Sequence, residues 1–576
     1  MGKKGIVIIF ALISMFLLIN GVANFGTVSE SEFVYMGVLL LCLLLIALLA
    51  SKLIAYVAEE KVFVILYCIK KKMMITELVS CGALLLAGLI ARIVAASKLE
   101  SVNSVKEYEH LDVLFPAEKL YDSLEGFFGV FSVGNISGCE ILNIVASLVS
   151  ILLIYFIVRT MYGRSGGLVA LAISAFWPSH IYGVSYHSER YVCTLLFLAV
   201  IYFFILFRKT KYWWVFSPLC GLCLGVLSYM QTSMYILFVV FVASLFIKGN
   251  EGREWSFSEN FMKRLPALAV SVVVAVITII VVNAVMAASL GIDAGKITGI
   301  NGYEVLSGFN LDSNGNENDA DYEYLMSNYQ EGKNPKDAQL MAMSAGIQRF
   351  MDNKIESFNL ILKKAQYIFG GGFDLSGRAD MGESKFIFFE DAYYLLVLLG
   401  TGILAVELLQ HNHKGYINFI IVIGILIVIF GAMFMAESTV QLQFGCIMAI
   451  CSSAMVSILY RRKLGDETIQ TIEEIRRKQM EQQEQKEKWT SNLANRLNMQ
   501  GTETGEKKEE EDSEYFFDEE EIVDNKQVDE DMEKLLSKLS IDASMLGTAS
   551  VREKRRKKIE QAKEKQKNKD NGDFDM

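Results

Sequence analysis

Proline is scarce in this chain, with 5 among 576 residues, and histidine is equally scarce at 5. So few helix breakers leave room for long uninterrupted helices and argue against a loop-rich architecture. Phosphate-binding glycine motifs are missing as well. No P-loop occurs, no G-x-G-x-x-G follows a strand pattern, and Gly370, Gly371 and Gly372 stand alone. That removes a nucleotide-binding module from consideration. A disulfide framework is also lacking: the nine cysteines (42, 68, 81, 139, 193, 220, 223, 446 and 451) fall mostly inside apolar runs, where cysteine behaves as a small hydrophobe. Cys220 and Cys223 form a C-x-x-C without a second pair or a histidine cluster, and read as packing residues.

What the chain has in excess is apolar surface. Hydrophobic residues make up 52% of it and the mean hydropathy is +0.34. The net charge of −10 averages an apolar body, 1–460, with a highly charged remainder, 461–576, so it says little about partners. The expected fold is an all-α integral membrane protein of about twelve helices. Runs of spanning length lie near 5–23, 34–56, 77–97, 140–158, 166–182, 190–207, 213–230, 233–247, 265–288, 387–408, 416–435 and 442–460. The first has the flanking lysines of a signal peptide or an anchor, and its length favours a retained helix. Residues 60–74 are too short to span and read as a basic amphipathic helix on the cytoplasmic leaflet.

Loop charge orients these helices. With the N-terminus inside, the cytoplasmic pieces include Lys70–Lys72, 159–164, 208–211, 248–264, 411–414 and 461–463, all basic. The other side then receives two long loops, 98–138 and 289–386, and the turn at 178–189. Both termini are expected in the cytoplasm of a multi-pass cell-membrane protein. Three regions follow: an N-terminal helix pair with the interfacial helix (1–76), a transmembrane module (77–460) and a charged tail (461–576).

Ionisable groups at membrane depth usually face a cavity and mark function. The segment FWPSHIYGVSYHSERY, 176–191, puts His180, His187, Glu189 and Arg190 at the mouth of a helical hairpin. Glu189 and Arg190 also fit a neutralising pair at a helix end. The two histidines lack a third ligand at close spacing, so no metal is assigned; a divalent ion is left open but not indicated. The loop 98–138 carries Glu107, Glu109, Asp112, Glu118, Asp122 and Glu125 with apolar residues at helical spacing, so it lies flat on the surface with its acids solvated or turned inward. The amide-rich and acidic run at 312–323 reads as a solvated loop.

Together, HLDVLFPAEKLYD (110–122), LNIVASL (142–148), a basic turn and the 176–191 segment resemble the GT-C superfamily of multispanning glycosyltransferases. The pattern is most similar to the protein O-mannosyltransferase and aminoarabinose-transferase branch, glycosyltransferase family 39 type. NGYEVLSGFNLDSNGNEND (301–319) resembles the opening of the large outer loop in bacterial members. The two helices before residue 60 are additional to the usual start, and Gln231-Thr232-Ser233 stands where relatives often have an Arg-Pro pair. The resemblance implies a catalytic aspartate at Asp112, with Glu109 as the alternative, and a second acidic residue at Glu189. It implies a polyprenyl-phosphate-linked sugar as donor and an extracytoplasmic glycan, lipid or protein as acceptor.

The chemistry of such a transfer asks for a carboxylate base and for cations on the departing phosphate. Arg190, Arg349, Lys363, Lys364 and Arg378 are the candidates for the phosphate, and His187 and Tyr182 for further substrate contacts. A single displacement inverts the anomeric carbon. A transporter and a noncatalytic scaffold are the competing classes; no internal repeat supports the former. The tail combines helix-forming, acidic and basic stretches, expected to be partly helical and partly disordered, and suits membrane lipid or an unknown cytoplasmic partner better than nucleic acid.

Overall fold

The computed structural model describes residues 3–25, 70–99, 102–103, 111–132, 134–210, 212–246, 257–330, 334–369, 384–410, 417–434 and 438–464. Nearly all belong to one compact unit, Met1–Leu43 with Thr76–Ile458; of the second, Leu44–Ile75 with Leu459–Met576, only 70–75 and 459–464 are described.

Helix α1 (Lys3–Phe25) is apolar on every side, yet only one stripe is covered. Val7, Phe10, Ser14 and Leu17 are buried, whereas Ile8, Leu12, Met15, Ile19 and Val22 are bare. Both sets recur every three or four positions, as expected when one helix face packs on protein and the other on lipid. Helix α2 (Lys70–Lys98) begins inside the predicted surface helix: Lys70–Met74 form its first turns rather than a separate element. Residues 60–69 and the predicted span 34–56 lie outside the described residues.

Helix α5 (Gly138–Ala175) has 38 residues. Straight, it would be about 57 Å long, nearly twice a hydrocarbon core of about 30 Å. Gly163 interrupts it with φ 82° and ψ −171°, and the chain folds back. A Cβ on Gly167 would stand 3.0 Å from both the Tyr155 ring and the Arg159 Cβ, eight or more residues earlier. The buried Arg92 ties the two arms together: Nε donates to Ser147 Oγ at 2.8 Å and Nη1 to the Ala175 carbonyl at 3.1 Å. Thus one helix contains both predicted spans. The second arm stops at Ala175 rather than 182, because Trp177 adopts the extended backbone that precedes a proline.

Beyond it come α6 (Pro178–Tyr182), a 3₁₀ turn (Gly183–Ser185), the two-residue strand β2 (Tyr186–His187), α7 (Arg190–Lys209) and α8 (Trp213–Met230). A 3₁₀ turn at Thr232–Tyr235 leads to α9 (Ile236–Phe246), followed by α10 (Phe257–Leu290). After the second outer segment come α15 (Ser384–Gln410), α16 (Ile417–Gly431) and α17 (Ser438–Leu464). Eight described helices, α5 counted once, are long and apolar enough to cross a membrane; the predicted spans near 233–247 and 416–435 appear as shorter apolar helices. Helix α17 is the central one, with 89% of its apolar window buried, while α10 exposes Val273, Val276, Ile277, Ile280 and Val281.

Two groups of short elements lie outside the spans. The first holds β1 (Val102–Asn103), α3 (Leu111–Leu114) and α4 (Pro116–Gly129). The second holds α11 (Gly302–Gly308), α12 (Asp319–Gln330), α13 (Pro335–Asp352) and α14 (Lys354–Phe369). A small core of Leu114, Phe115, Tyr303, Leu306, Tyr322 and Leu325 joins them. Gln339 fastens the join: its Oε1 accepts from Gly302 N at 2.7 Å and its Nε2 donates to the Leu114 carbonyl at 2.9 Å. The run at 312–323 is not simply a solvated loop. Asp321, 1% exposed, accepts from Asn310 and Asn318 and pairs with Arg349 at 2.7 Å.

Candidate active site

The turn before α7 is held from two sides. Strand β1 pairs with β2 in parallel register, Val102 with Tyr186 and Asn103 with His187, which pins the first outer segment to this turn. From within the bundle, the fully buried Asn143 donates through Nδ2 to the carbonyls of Val184 at 3.1 Å and Tyr186 at 2.8 Å. A buried amide with its hydrogens committed fixes the backbone that carries His187 and Glu189.

Helix α4 lies against this turn. Its Tyr121 packs edge-on against the His187 ring, with centroids 5.6 Å apart. The Tyr121 hydroxyl is 3.0 Å from Cys139 Sγ and donates to Asn143 Oδ1 at 3.4 Å. Burial is the main reason the Tyr121 phenol is pushed far above its usual range, with Cys139, Glu125 and Glu189 adding to the effect. Glu189 therefore lies within electrostatic reach of α4. His187 stands between two carboxylates of that helix, Nδ1 at 3.2 Å from Glu125 Oε2 and Nε2 at 3.8 Å from Asp122 Oδ1.

Asp112 joins the same face through Lys119. Its Oδ2 is 2.7 Å from Lys119 Nζ, and both side chains are partly exposed, 48% and 36%. The hydrogen bond to Asp112 is the leading reason Lys119 is held charged above the ordinary lysine range, and Asp122 contributes. Asp112, Lys119, Asp122, His187 and Glu125 thus form a continuous polar track, with Glu189 within electrostatic reach of Tyr121. Arg190 opens α7 and sits 5.5 Å from the Tyr186 ring centroid.

The other sequence candidates are placed elsewhere. Arg349 pairs with Asp321 and donates to the Leu306 carbonyl at 3.0 Å. Lys364 is buried and donates to the carbonyls of Gly308 at 2.5 Å and Phe434 at 2.7 Å. Lys363 is exposed, and Tyr182 is partly buried in α6. Glu109 and Arg378 lie outside the described residues. Residue patterns alone did not single out Lys119, Cys139 and Asn143. Asp122 and Glu125, three apart on one helix face, were visible as acids but not as partners of His187.

Residues 123–294 match the model of the dolichyl-phosphate-mannose-protein mannosyltransferase family. Over this segment the chain is similar to that family, in line with the resemblance read from its sequence. The matched segment contains Glu125, Cys139, Tyr182, His187, Glu189 and Arg190; Asp112 precedes it. No curated protein matches the chain. Among solved structures, the Archaeoglobus fulgidus oligosaccharyltransferase AglB, in complex with an inhibitory peptide and a dolichol-phosphate, is 12% identical with a TM-score of 0.37, covering 68% of this chain and 51% of its own. ArnT from Cupriavidus metallidurans, bound to undecaprenyl phosphate, is 10% identical with a TM-score of 0.29, covering 66% and 78%. The chain spans about half the length of the oligosaccharyltransferases it resembles.

Proposed function

We propose that this protein is a membrane glycosyltransferase that moves a sugar from a polyprenyl-phosphate carrier to an extracytoplasmic acceptor. The match of residues 123–294 to the protein mannosyltransferases carries this reading. The polar track from Asp112 through Lys119 and Asp122 to His187, on the turn that also carries Glu189 and Arg190, supports it. In this reading both termini are cytoplasmic, and the outer helices roof a site open to lipid.

The acceptor's nucleophilic atom attacks the anomeric carbon as the bond from that carbon to the phosphate oxygen breaks. The lipid phosphate leaves with the electron pair, the acceptor's proton passes to the Asp112 carboxylate, and the configuration inverts. Lys119 holds the Asp112 carboxylate in place through the 2.7 Å ion pair. Glu189 orients the acceptor or Arg190, with His187 and Tyr182 flanking it. Arg190 is the cation for the phosphate charge, because Arg349 and Lys364 already give their hydrogens to the protein.

Full-length protein in detergent, given radiolabelled polyprenyl-phosphate sugars and a panel of glycan, lipid and peptide acceptors, tests the proposal. Transfer that falls sharply in Asp112→Asn is expected. Undiminished transfer in that variant removes Asp112 from the base role, and no transfer with any donor removes the reading.

A further inference from the structure

Glu125 on α4, Cys139 in the first turn of α5 and His187 on β2 each present one ligand atom, and these atoms all lie within 4.8 Å of one another. They are far apart in sequence and reach one place only because the outer segment folds back on the helix bundle. We propose that these three residues bind one Zn²⁺ ion, which fastens α4, α5 and the turn before α7 together.

The spacing fits. Ligand atoms bound to one tetrahedral zinc at about 2.0–2.3 Å stand about 3.3–3.7 Å from each other. His187 Nδ1 and Glu125 Oε2 are already 3.2 Å apart, so Cys139 Sγ needs only a small approach. The arrangement around the three points the same way. Metal-bound histidines commonly direct their other ring nitrogen at a carboxylate, which fixes the tautomer and the ring orientation. Here Nε2 of His187 faces Asp122 Oδ1 at 3.8 Å.

The sulfur has a suitable neighbour too. Tyr121 Oη lies 3.0 Å from Cys139 Sγ and can turn its hydrogen from Asn143 Oδ1, at 3.4 Å, to a thiolate. The set of one sulfur, one nitrogen and one oxygen selects zinc over calcium or magnesium, which take oxygen ligands. Binding displaces the thiol proton to solvent, and three protein ligands leave a fourth position for water.

The site does not depend on the sugar-transfer reading, and its test uses no activity. Full-length protein in detergent is stripped with a chelator and titrated with Zn²⁺ against a chromophoric chelator, with Co²⁺ in a parallel titration. One equivalent of zinc is expected, with a thiolate-to-cobalt absorption in the near ultraviolet that Cys139→Ser loses. Glu125→Gln and His187→Gln should each weaken zinc binding roughly tenfold or more. Glu125 is 27% exposed, so its substitution leaves the fold intact and keeps the test decisive where Cys139→Ser aggregates. Unchanged zinc affinity in Glu125→Gln, or a cobalt complex without the thiolate band in the wild type, overturns the proposal.

Discussion

The carboxylate of Asp112 and the ammonium of Lys119 meet at 2.7 Å, seven residues apart, across the junction between α3 and α4. The pair ties the proposed base to the helix that carries Asp122 and Glu125. Asp112→Asn should lower sugar transfer by about 10²–10⁴-fold, the usual contribution of a positioned base. Lys119→Met keeps the carboxylate, so its loss of transfer should be much smaller. Because both side chains are partly exposed, thermal stability should change by less than about 1 kcal/mol in either variant. Labelled transfer and thermal unfolding measured on the same samples separate the two effects.

Asp321 should be a stability residue rather than a reactive one. Burial alone would raise its carboxyl, but Arg349, Asn318 and Asn310 outweigh that and hold it below the ordinary aspartate value. Arg349 is 37% exposed, so Asp321→Ala should cost less than the about 3–5 kcal/mol typical of a fully buried pair and still lower the melting temperature measurably. The sign with pH follows from the lowered value. The stabilisation is present above the unfolded aspartate pKa and is lost as pH falls through the folded one. Wild type and Asp321→Ala should therefore converge in stability in strong acid; a constant gap would contradict the pairing.

Lys364 predicts a trend of the opposite kind. Burial lowers its pKa to about 7, and as a neutral amine it can still donate to both carbonyls. The unfolded chain binds the proton up to about pH 10.4, so between these values it holds more protons than the folded one. Stability should rise with pH over that window, by up to about 1.4 kcal/mol per pH unit, relative to Lys364→Met. Melting temperatures at pH 6, 7.5 and 9 give the slope, and a flat difference would mean the ammonium stays charged.

Gly163→Ala tests the hairpin in α5. With φ 82° and ψ −171°, this residue occupies a region that side chains rarely adopt. The substitution should cost about 1–3 kcal/mol. Gly82→Ala, where an added Cβ meets nothing within 4 Å, is the control and should not destabilise. Equal melting temperatures for the two variants would remove the argument for strain.

Much of the membrane architecture was legible because apolar length and basic turns carry their own signal. The turn at 159–164, the tight connection at Gln231–Thr232 and the span that forms most of α17 could all be read from runs of hydrophobicity. What escaped was everything that depends on distant residues meeting. Lys70–Met74 looked like a surface helix because their charge was weighed without the apolar run that follows, yet the helix simply continues through them. Asp321 looked solvated because neighbouring acids and amides suggest water, whereas Arg349 arrives from another helix to neutralise it. At the site, Glu189 and Asp112 were marked by charge and resemblance. Asn143 and Cys139 were concealed, since their polarity becomes apparent only when the turn at 184–187 folds onto them.

Arg92 carries a mechanical implication. Its single guanidinium grips Ser147 near the start of the α5 hairpin and Ala175 at its finish, just before the chain emerges toward His187 and Glu189. Helix α2, which supplies the arginine, ends at Lys98, just ahead of the segment bearing Asp112. Both arms of the α5 hairpin are thus riveted to α2 by one side chain, so a tilt of α2 would carry the arm that leads into the His187 turn along with it.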